Sequence, residues 1–459
     1  MFTCDFGLRL AKFYPTTFSS CRKLLRTGRD KSRITLRSAT FMSPHSLSSS
    51  TKSDYRVQYD KFLGSPVECV QQKAIQISRY GFVVRHSCRF AHFSYMSQFL
   101  FEPQSLLMPS KNYSRSTEFY KNLPKVDLHR HLEGSLRVRT MMEIVRSHDM
   151  DIEDTGYLRP LVQMDHNEPY TFENFLSKFG TLQLFYRSPQ IIKRITLEAI
   201  EDAALDNVRY LELRFTPISL SKAGDFSIDQ VIDWVARSAQ EAEERFGILV
   251  RLIISVNRHG NIEEAQKAIK LAADYGGDRV VGIDLAGNEA EFSAEPFKSA
   301  FLLAKEAGLR LTVHAGEWGK AENVREAIIK LGAERIGHGV RVLDNPSVVN
   351  LARERGTTFE VCVTSNHHSG VISDLEKHPL AEMILNGLNV TINTDDPSIS
   401  RITLSNEYQV VTEQLGIPLS VLRERILASV QAAFLPTKEK NCLLQQISSE
   451  FAKKMLQMD

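Results

Sequence analysis

Eight short β-rich runs, alternating with helical stretches, predict an α/β fold: a (β/α)8 barrel of the TIM type, with a helical insertion after strand 1 and an N-terminal extension of uncertain order. Three observations carry the prediction. First, the runs "KVDLHRH" (125–131), "VRYLELRFTP" (208–217), "LVRLIISVNR" (249–258), "VVGIDLAGNE" (280–289), "LRLTVHAGE" (309–317), "ERIGHGVRV" (334–342), "TTFEVCVTSN" (357–366) and "LNVTINTDDP" (388–397) number eight. Second, helical patterns such as "IDQVIDWVARSAQEAEERFG" and "NVREAIIKLGAE" lie between them, several ending at Gly as helices do. Third, from run three to run eight the starts fall 23–31 residues apart, the length of one βα unit. Strands alternating with helices imply a parallel sheet, and eight units in about 330 residues imply one closed barrel. An open doubly wound sheet is the runner-up. It would more often carry a glycine-rich phosphate loop after its first strand, where this chain has "HRHLEGS".

The organised part begins late. Residues 1–115 contain Ser clusters and scattered Arg without a sustained apolar period. Residues 1–50 hold nine basic residues against only Asp5 and Asp30, the composition of an organelle transit peptide. A disordered tail or a start codon placed too far upstream explains the same residues. The division is therefore an extension over 1–115 and a barrel over 116–459, and a chain starting near Ser116 is expected to fold alone.

The first gap is longer than the others. About 80 residues separate the starts of runs one and two, enough for several helices. Within it, "TFENFLSKFGTLQLFY" places Phe172, Phe175 and Phe179 on one helical face. That face either packs on the barrel or walls its mouth as a lid.

Composition narrows the class. With 42% hydrophobic and 24% charged residues the chain reads as globular, and it has no apolar run of the length a membrane helix needs. The net charge of +2 averages +11 over residues 1–100 and −9 over the rest. An acidic body argues against a nucleic-acid surface. Six cysteines, none in a CxxC pair, predict neither a disulfide framework nor a thiolate zinc site. The expected location is cytoplasmic, with organelle targeting by the basic N-terminus open.

The strand ends carry the chemistry. Run one ends in His129 and His131, which share a face because i and i+2 do so in a strand. Run five ends "HAGE" with His314 and Glu317, run six carries His338 in "GHG", and run eight ends "TDDP" with Asp395 and Asp396. In a parallel barrel these ends meet at one rim, where such enzymes keep their sites. Each motif alone has a bland reading: a lone His is usually structural, and "DD" before Pro is usually a turn. Their joint placement weakens the bland readings. Three imidazoles, from His129, His131 and His314, and one carboxylate, from Asp395, suit zinc. A zinc ion with one open position makes hydroxide available near neutral pH. Glu317 is then a candidate proton donor to a substrate nitrogen, and His338 a candidate to orient water and hold developing charge. Asp396 is free to meet a ring nitrogen, and Gly287 in "DLAGNE" lets a backbone N–H approach a ligand.

The chain resembles the adenosine deaminases, the adenyl-deaminase branch of the amidohydrolases. The matching pieces are "LPKVDLHRHLEGS", "TFENFLSKF", "LELRFTP", "DLAGNE", "HAGE", "IGHG", the "SN" of "CVTSNHHS", and "NTDDP", in the family's order over about residues 121–455. The resemblance implies a barrel with one zinc per subunit that hydrolyses adenosine to inosine and ammonia. It implies His129, His131, His314 and Asp395 as zinc ligands. It implies Glu317 as proton donor to ring N1, His338 as the residue that positions the attacking water, and Asp396 and the Gly287 backbone as purine contacts. Phe175 and Phe179 match the lid aromatics. One departure concerns ribose: animal members carry Asp after HxH-Leu, where this chain has Glu133. Bacterial members and adenine deaminases also carry Glu there.

The implied partner is a small purine nucleoside, with no nucleic acid and no membrane. Adenine, N6-methyl-AMP or another adenosine derivative is the alternative substrate. A binuclear amidohydrolase would need a bridging ligand, commonly a modified Lys, where this chain has Ile283 to Gly287. A non-catalytic protein on an inherited barrel would have lost a ligand or Glu317, and none is lost.

Overall fold

A computed structural model describes residues 115–275 and 279–456. The extension expected over residues 1–115, with its targeting reading, lies outside these except for Arg115. Eight strands form one parallel sheet: β1 (Lys125–His131), β2 (Val208–Phe215), β3 (Leu249–Asn257), β4 (Val280–Ala286), β5 (Arg310–His314), β6 (Arg335–Gly337), β7 (Thr358–Val361) and β8 (Asn389–Ile392). Each pairs with the next in sequence. The ring closes through an isolated bridge between Arg130 and Asp395, where His131 N donates to Asp395 O at 2.9 Å and Asp395 N to His129 O at 2.8 Å. The asparagine side chain beyond β8 adds a third link, accepting from Leu128 N at 2.9 Å on Asn393 Oδ1. The expected TIM-type barrel is the fold of this chain.

The later strands are shorter than the apolar runs suggest. β6 ends at Gly337 because His338 and Gly339 both take positive φ, +59° and +69°, which leaves the sheet. The run "TTFEVCVTSN" divides: only Thr358–Val361 is strand, and Val363–His368 is helix. The long gap after β1 holds the helices Val138–Ser147, Thr155–Val162, Phe172–Leu182 and Pro189–Leu205. Thr171 caps the third of these, accepting from Asn174 N.

Charged side chains fill part of the barrel interior. Glu360 on β7 accepts from Arg214 Nη2 on β2 at 2.8 Å, and Arg335 Nε on β6 stands 2.6 Å from its other oxygen. Arg335 also pairs with Glu212 on β2, whose second oxygen accepts from Phe434 N at 2.6 Å. All four side chains are buried. Burial alone would raise the Glu360 carboxyl; the two guanidiniums override it and hold it well below the usual carboxylate range. Among the described residues, no helix is long and apolar enough to cross a membrane.

Candidate active site

The strand ends bring the expected metal set together. β1 delivers His129 and His131, β5 ends at His314, and the turn after β8 carries Asp395. One donor atom from each of the four lies within 4.8 Å of the others. His131 Nε2 stands 3.3 Å from His314 Nε2, and Asp395 Oδ1 stands 3.3 Å from His129 Nε2 and 3.4 Å from His131 Nε2. Alternation along β1 accounts for its two imidazoles. Asp395 is aimed by a left-handed backbone, φ +66°, as His338 is. Such conformations cost energy outside glycine and gather at working sites.

The outer face of two rings is fixed. His129 Nδ1 pairs with Glu360 Oε2 at 2.8 Å, and His314 Nδ1 with Asp284 Oδ1 at 2.9 Å. A carboxylate there accepts from Nδ1–H, which keeps the proton on Nδ1 and turns the Nε2 lone pair inward, as metal-ligating histidines require. His129 Nε2 is buried without a hydrogen-bond partner. Three imidazoles and one carboxylate converging around that partnerless nitrogen fit a divalent cation, and the donor set suits zinc. Burial also holds the His131 ring well below the usual imidazole range, so it is the neutral form that ligates. Asp395 is buried too, yet the 3.3 Å contact with His129 Nε2 and the surrounding imidazoles hold its carboxyl well below the ordinary value. Ser365 Oγ secures its other oxygen at 2.6 Å.

Asp396 shifts the opposite way. Burial, and then the charge of Asp395, push its carboxyl well above the usual range, and its Oδ1 is buried without a partner. A Cβ on Gly134 would fall 1.8 Å from that oxygen, so the glycine of "HLEGS" is what admits this side chain. Neighbouring carboxyls pushed apart divide into an anion and a neutral acid.

Glu317 sits on the same rim, 3% exposed. Burial first, then Asp395 and Glu289, push its carboxyl well above the usual range. Glu289 holds the loop by accepting from Glu317 N at 2.6 Å and Gly316 N at 2.8 Å. His338 Nε2 stands 3.6 Å from Glu317 Oε2 and 3.9 Å from Asp395 Oδ2. Glu133 accepts from Thr216 N at 2.6 Å on one oxygen, and its other oxygen is buried and partnerless. Burial pushes its carboxyl up to about 7. Gly287 follows β4 with φ +92°, and a Cβ there would lie 3.3 Å from His259 Nδ1.

A cavity of about 460 Å³ opens beside this rim, with Glu317, Trp318, Asn288, Arg341 and Phe172 in its lining. Phe175 and Phe179 are not part of that lining. They pack edge-on against each other at 6.2 Å, with Phe175 buried. Phe172, from the same helix, meets Trp318 edge to face at 4.4 Å instead. A second cavity of about 570 Å³, beside the helix Thr117–Lys121, contains none of the site groups.

Sequence patterns assign no role to Asp284, Glu289, Glu360, Ser365 or Asn366, although "DLAGNE" and "SN" carry four of them. Asp284 in "GIDLA" and Glu360 in "TFEVC" show a further signal, a charge at an inward, alternating position of an apolar run.

The similarity to known proteins covers this same region. The family model described as Adenosine deaminase matches residues 124–450. An adenosine deaminase of Clostridium perfringens (strain SM101 / Type A) is 35% identical over 324 residues, 70% of this chain and 97% of that protein. An amidohydrolase of Burkhoderia ambifaria, solved with bound Zn, aligns with a TM-score of 0.69 and 26% identity, covering 77% of this chain and 99% of its own. The N6-methyl-AMP deaminase of Arabidopsis thaliana aligns with a TM-score of 0.65 and 28% identity, covering 73% and 98%.

Proposed function

The chain belongs to the adenosine deaminase family, and we propose that it hydrolyses adenosine to inosine and ammonia with one zinc per subunit. Membership supports hydrolytic deamination; adenosine as the substrate is the finer step. The observation that carries it is a buried carboxyl beside four ligand donors: Glu317, pushed well above the usual range by burial, next to His129, His131, His314 and Asp395. Zinc held by those four would supply hydroxide at neutral pH. Attack of the water oxygen on C6 drives electrons onto N1, and Glu317 gives its proton to that nitrogen; the C6–N6 bond then breaks, and the amino group leaves as ammonia with the proton of the added hydroxyl. His338 positions the attacking oxygen. Asp396, also neutral, donates to a second ring nitrogen, and the backbone after Gly287 contacts the purine. Phe175 and Phe179 back the insertion helix whose Phe172 walls the mouth.

The ribose argument rests on Glu133. Its partnerless buried oxygen suits a sugar hydroxyl and repels a phosphate once ionised. The mouth agrees: of the residues lining it, Arg341 is the one cation, against the carboxylates of Glu173 and Glu291. An uncharged nucleoside therefore suits it better than a nucleotide. The likeness to the Arabidopsis enzyme favours one second reading, N6-methyl-AMP, with Arg341 meeting the phosphate. Free cysteines at Cys362 and Cys442 are in keeping with a cytoplasmic location.

The test is absorbance loss with adenosine, adenine and N6-methyl-AMP supplied separately. Adenosine should give the highest kcat/KM, and Glu133→Ala should lower its turnover more than that of adenine. A preference for N6-methyl-AMP would replace the reading. Equal losses for both substrates would take the ribose from Glu133.

A further inference from the structure

One line of hydrogen bonds runs behind His338, and a backbone amide sets its direction. Leu380 N donates to His378 Nδ1 at 3.1 Å. A backbone N–H only donates, so His378 Nδ1 offers a lone pair and the proton of the neutral ring sits on Nε2. Burial keeps that ring neutral, lowering it to about 3. His378 Nε2 therefore donates to Asn366 Oδ1, 3.3 Å away. That contact settles which end of the amide is oxygen. The other end, Asn366 Nδ2, donates to His338 Nδ1 at 3.0 Å. All three side chains are buried, so no bulk water offers an alternative partner. With its Nδ1 lone pair engaged, neutral His338 carries its proton on Nε2. That is the nitrogen facing Glu317 Oε2 and Asp395 Oδ2. The rings of His129 and His314 pack against the His338 ring, with centroids at 4.9 Å and 5.2 Å.

We infer that Asn366 and His378 are positioning residues that lock His338 as a hydrogen-bond donor at Nε2. This deepens the proposed deamination and rests on it for the identity of the acceptor, the attacking oxygen. A ring locked in this form has no lone pair facing the site. It does not take the proton of the water. It donates to the oxygen and stabilises the charge that grows there. The amide is what matters: an acceptor at position 366 would pull the ring proton to Nδ1 and leave a bare lone pair at Nε2.

The experiment is ¹⁵N NMR of the zinc-loaded full chain labelled at histidine, with the His338 signals identified by their loss in His338→Gln. The wild type should show a proton bonded to His338 Nε2 and none on Nδ1. In Asn366→Asp the proton should appear on Nδ1. Its kcat for adenosine should fall about 10²–10³-fold, the scale of one lost donor to a developing oxyanion. KM should stay within a few-fold and zinc content should be unchanged. His378→Ala releases the amide to turn and should cost roughly 10-fold in kcat. A wild type protonated on Nδ1, or an Asn366→Asp variant with both the wild-type NMR pattern and wild-type kcat, overturns the inference. Should Asn366→Asp fail to fold, the wild-type spectrum still decides. A chain that deaminates no adenine compound but shows the Nε2 proton refutes the substrate reading alone. An active chain protonated on Nδ1 refutes the relay alone.

Discussion

Charges inside the barrel cancel, while charges at its rim are left open. Beneath the site, Glu360 lies between Arg214 and Arg335, and Arg335 is shared with Glu212. Each carboxylate there has a guanidinium and each guanidinium a carboxylate. At the rim, His129 Nε2, Glu133 Oε2 and Asp396 Oδ1 are all buried without partners. A buried polar atom left unpaired costs about 1–3 kcal/mol, so a fold keeps such atoms where something else completes them. Arg214 Nε and Nη1 and Arg335 Nε also lack hydrogen bonds, but both guanidiniums stand in ion pairs with carboxylates. The charge-matched network is therefore architecture, and the rim, with its open ring nitrogen and carboxyl oxygens, is the place for metal and substrate. Glu360 joins the two regions, because the oxygen that meets Arg214 also meets His129.

The contrast breaks most visibly at Asp395. It is the only anion in the donor set, and no neighbouring ligand can replace its charge. Asp395→Ala should lose zinc and abolish activity. Full zinc occupancy by elemental analysis would move the ligand role to Asp396 and exchange the two carboxyls. Next in size is Glu317→Gln, which keeps the shape and a donor N–H but transfers no proton. Zinc content and binding of an unreactive adenosine analogue should hold within a few-fold. Its kcat should drop about 10²–10⁴-fold, the usual worth of a positioned general acid. Near-normal kcat would show that another group protonates N1.

The interior should respond differently. Glu360→Gln leaves Arg214 and Arg335 without their shared anion. Breaking a buried pair in this way destabilises by about 3–5 kcal/mol. Urea denaturation should show that loss, whereas Glu317→Gln, which replaces an acid already neutral, should denature close to wild type. Equal stability of the two variants would erase the distinction between the regions.

What could be read in the sequence follows the same division. The barrel was legible because βα units repeat at a regular spacing. The rim groups His129, His131, His314, Glu317, His338, Asp395 and Asp396 stood out because polar residues end apolar runs. The interior network was not legible in the same way. Glu212, Arg214, Arg335 and Glu360 sit on strands of three to eight residues, and their partners lie across the barrel. A single strand shows a charge at an inward position but not what neutralises it. Asn366 showed only as the "SN" of a family piece, without a role, because the helix that places it begins where the apolar run suggested strand. The insertion showed its helices through Phe spacing, but not that Phe172 lines the cavity beside the rim.

The smallest expected effect sharpens the contrast with one residue type. Glu407 and Glu360 are both fully buried. Glu360 has two guanidiniums and stays ionised. Glu407 is served by neutral donors, its oxygens accepting from Thr364 N at 3.3 Å and 3.2 Å and from the Thr364 hydroxyl. Burial outweighs those bonds and pushes its carboxyl up to about 7. The folded chain thus binds a proton at Glu407 that the unfolded chain has released by about pH 5. The stabilisation is complete below the unfolded value and is lost as pH rises through about 7. At 1.36 kcal/mol per unit, the swing is roughly 3 kcal/mol. Glu133, also raised to about 7, adds a slope of the same sign. Urea midpoints from pH 5 to 8.5 should therefore decline for the wild type and decline less for Glu407→Gln, with the variants converging at the acid end. Identical slopes would mean that Glu407 is ionised at neutral pH. Neutral donors would then hold a buried carboxylate as well as two guanidiniums do, and the rule separating interior from rim would fail at its simplest case.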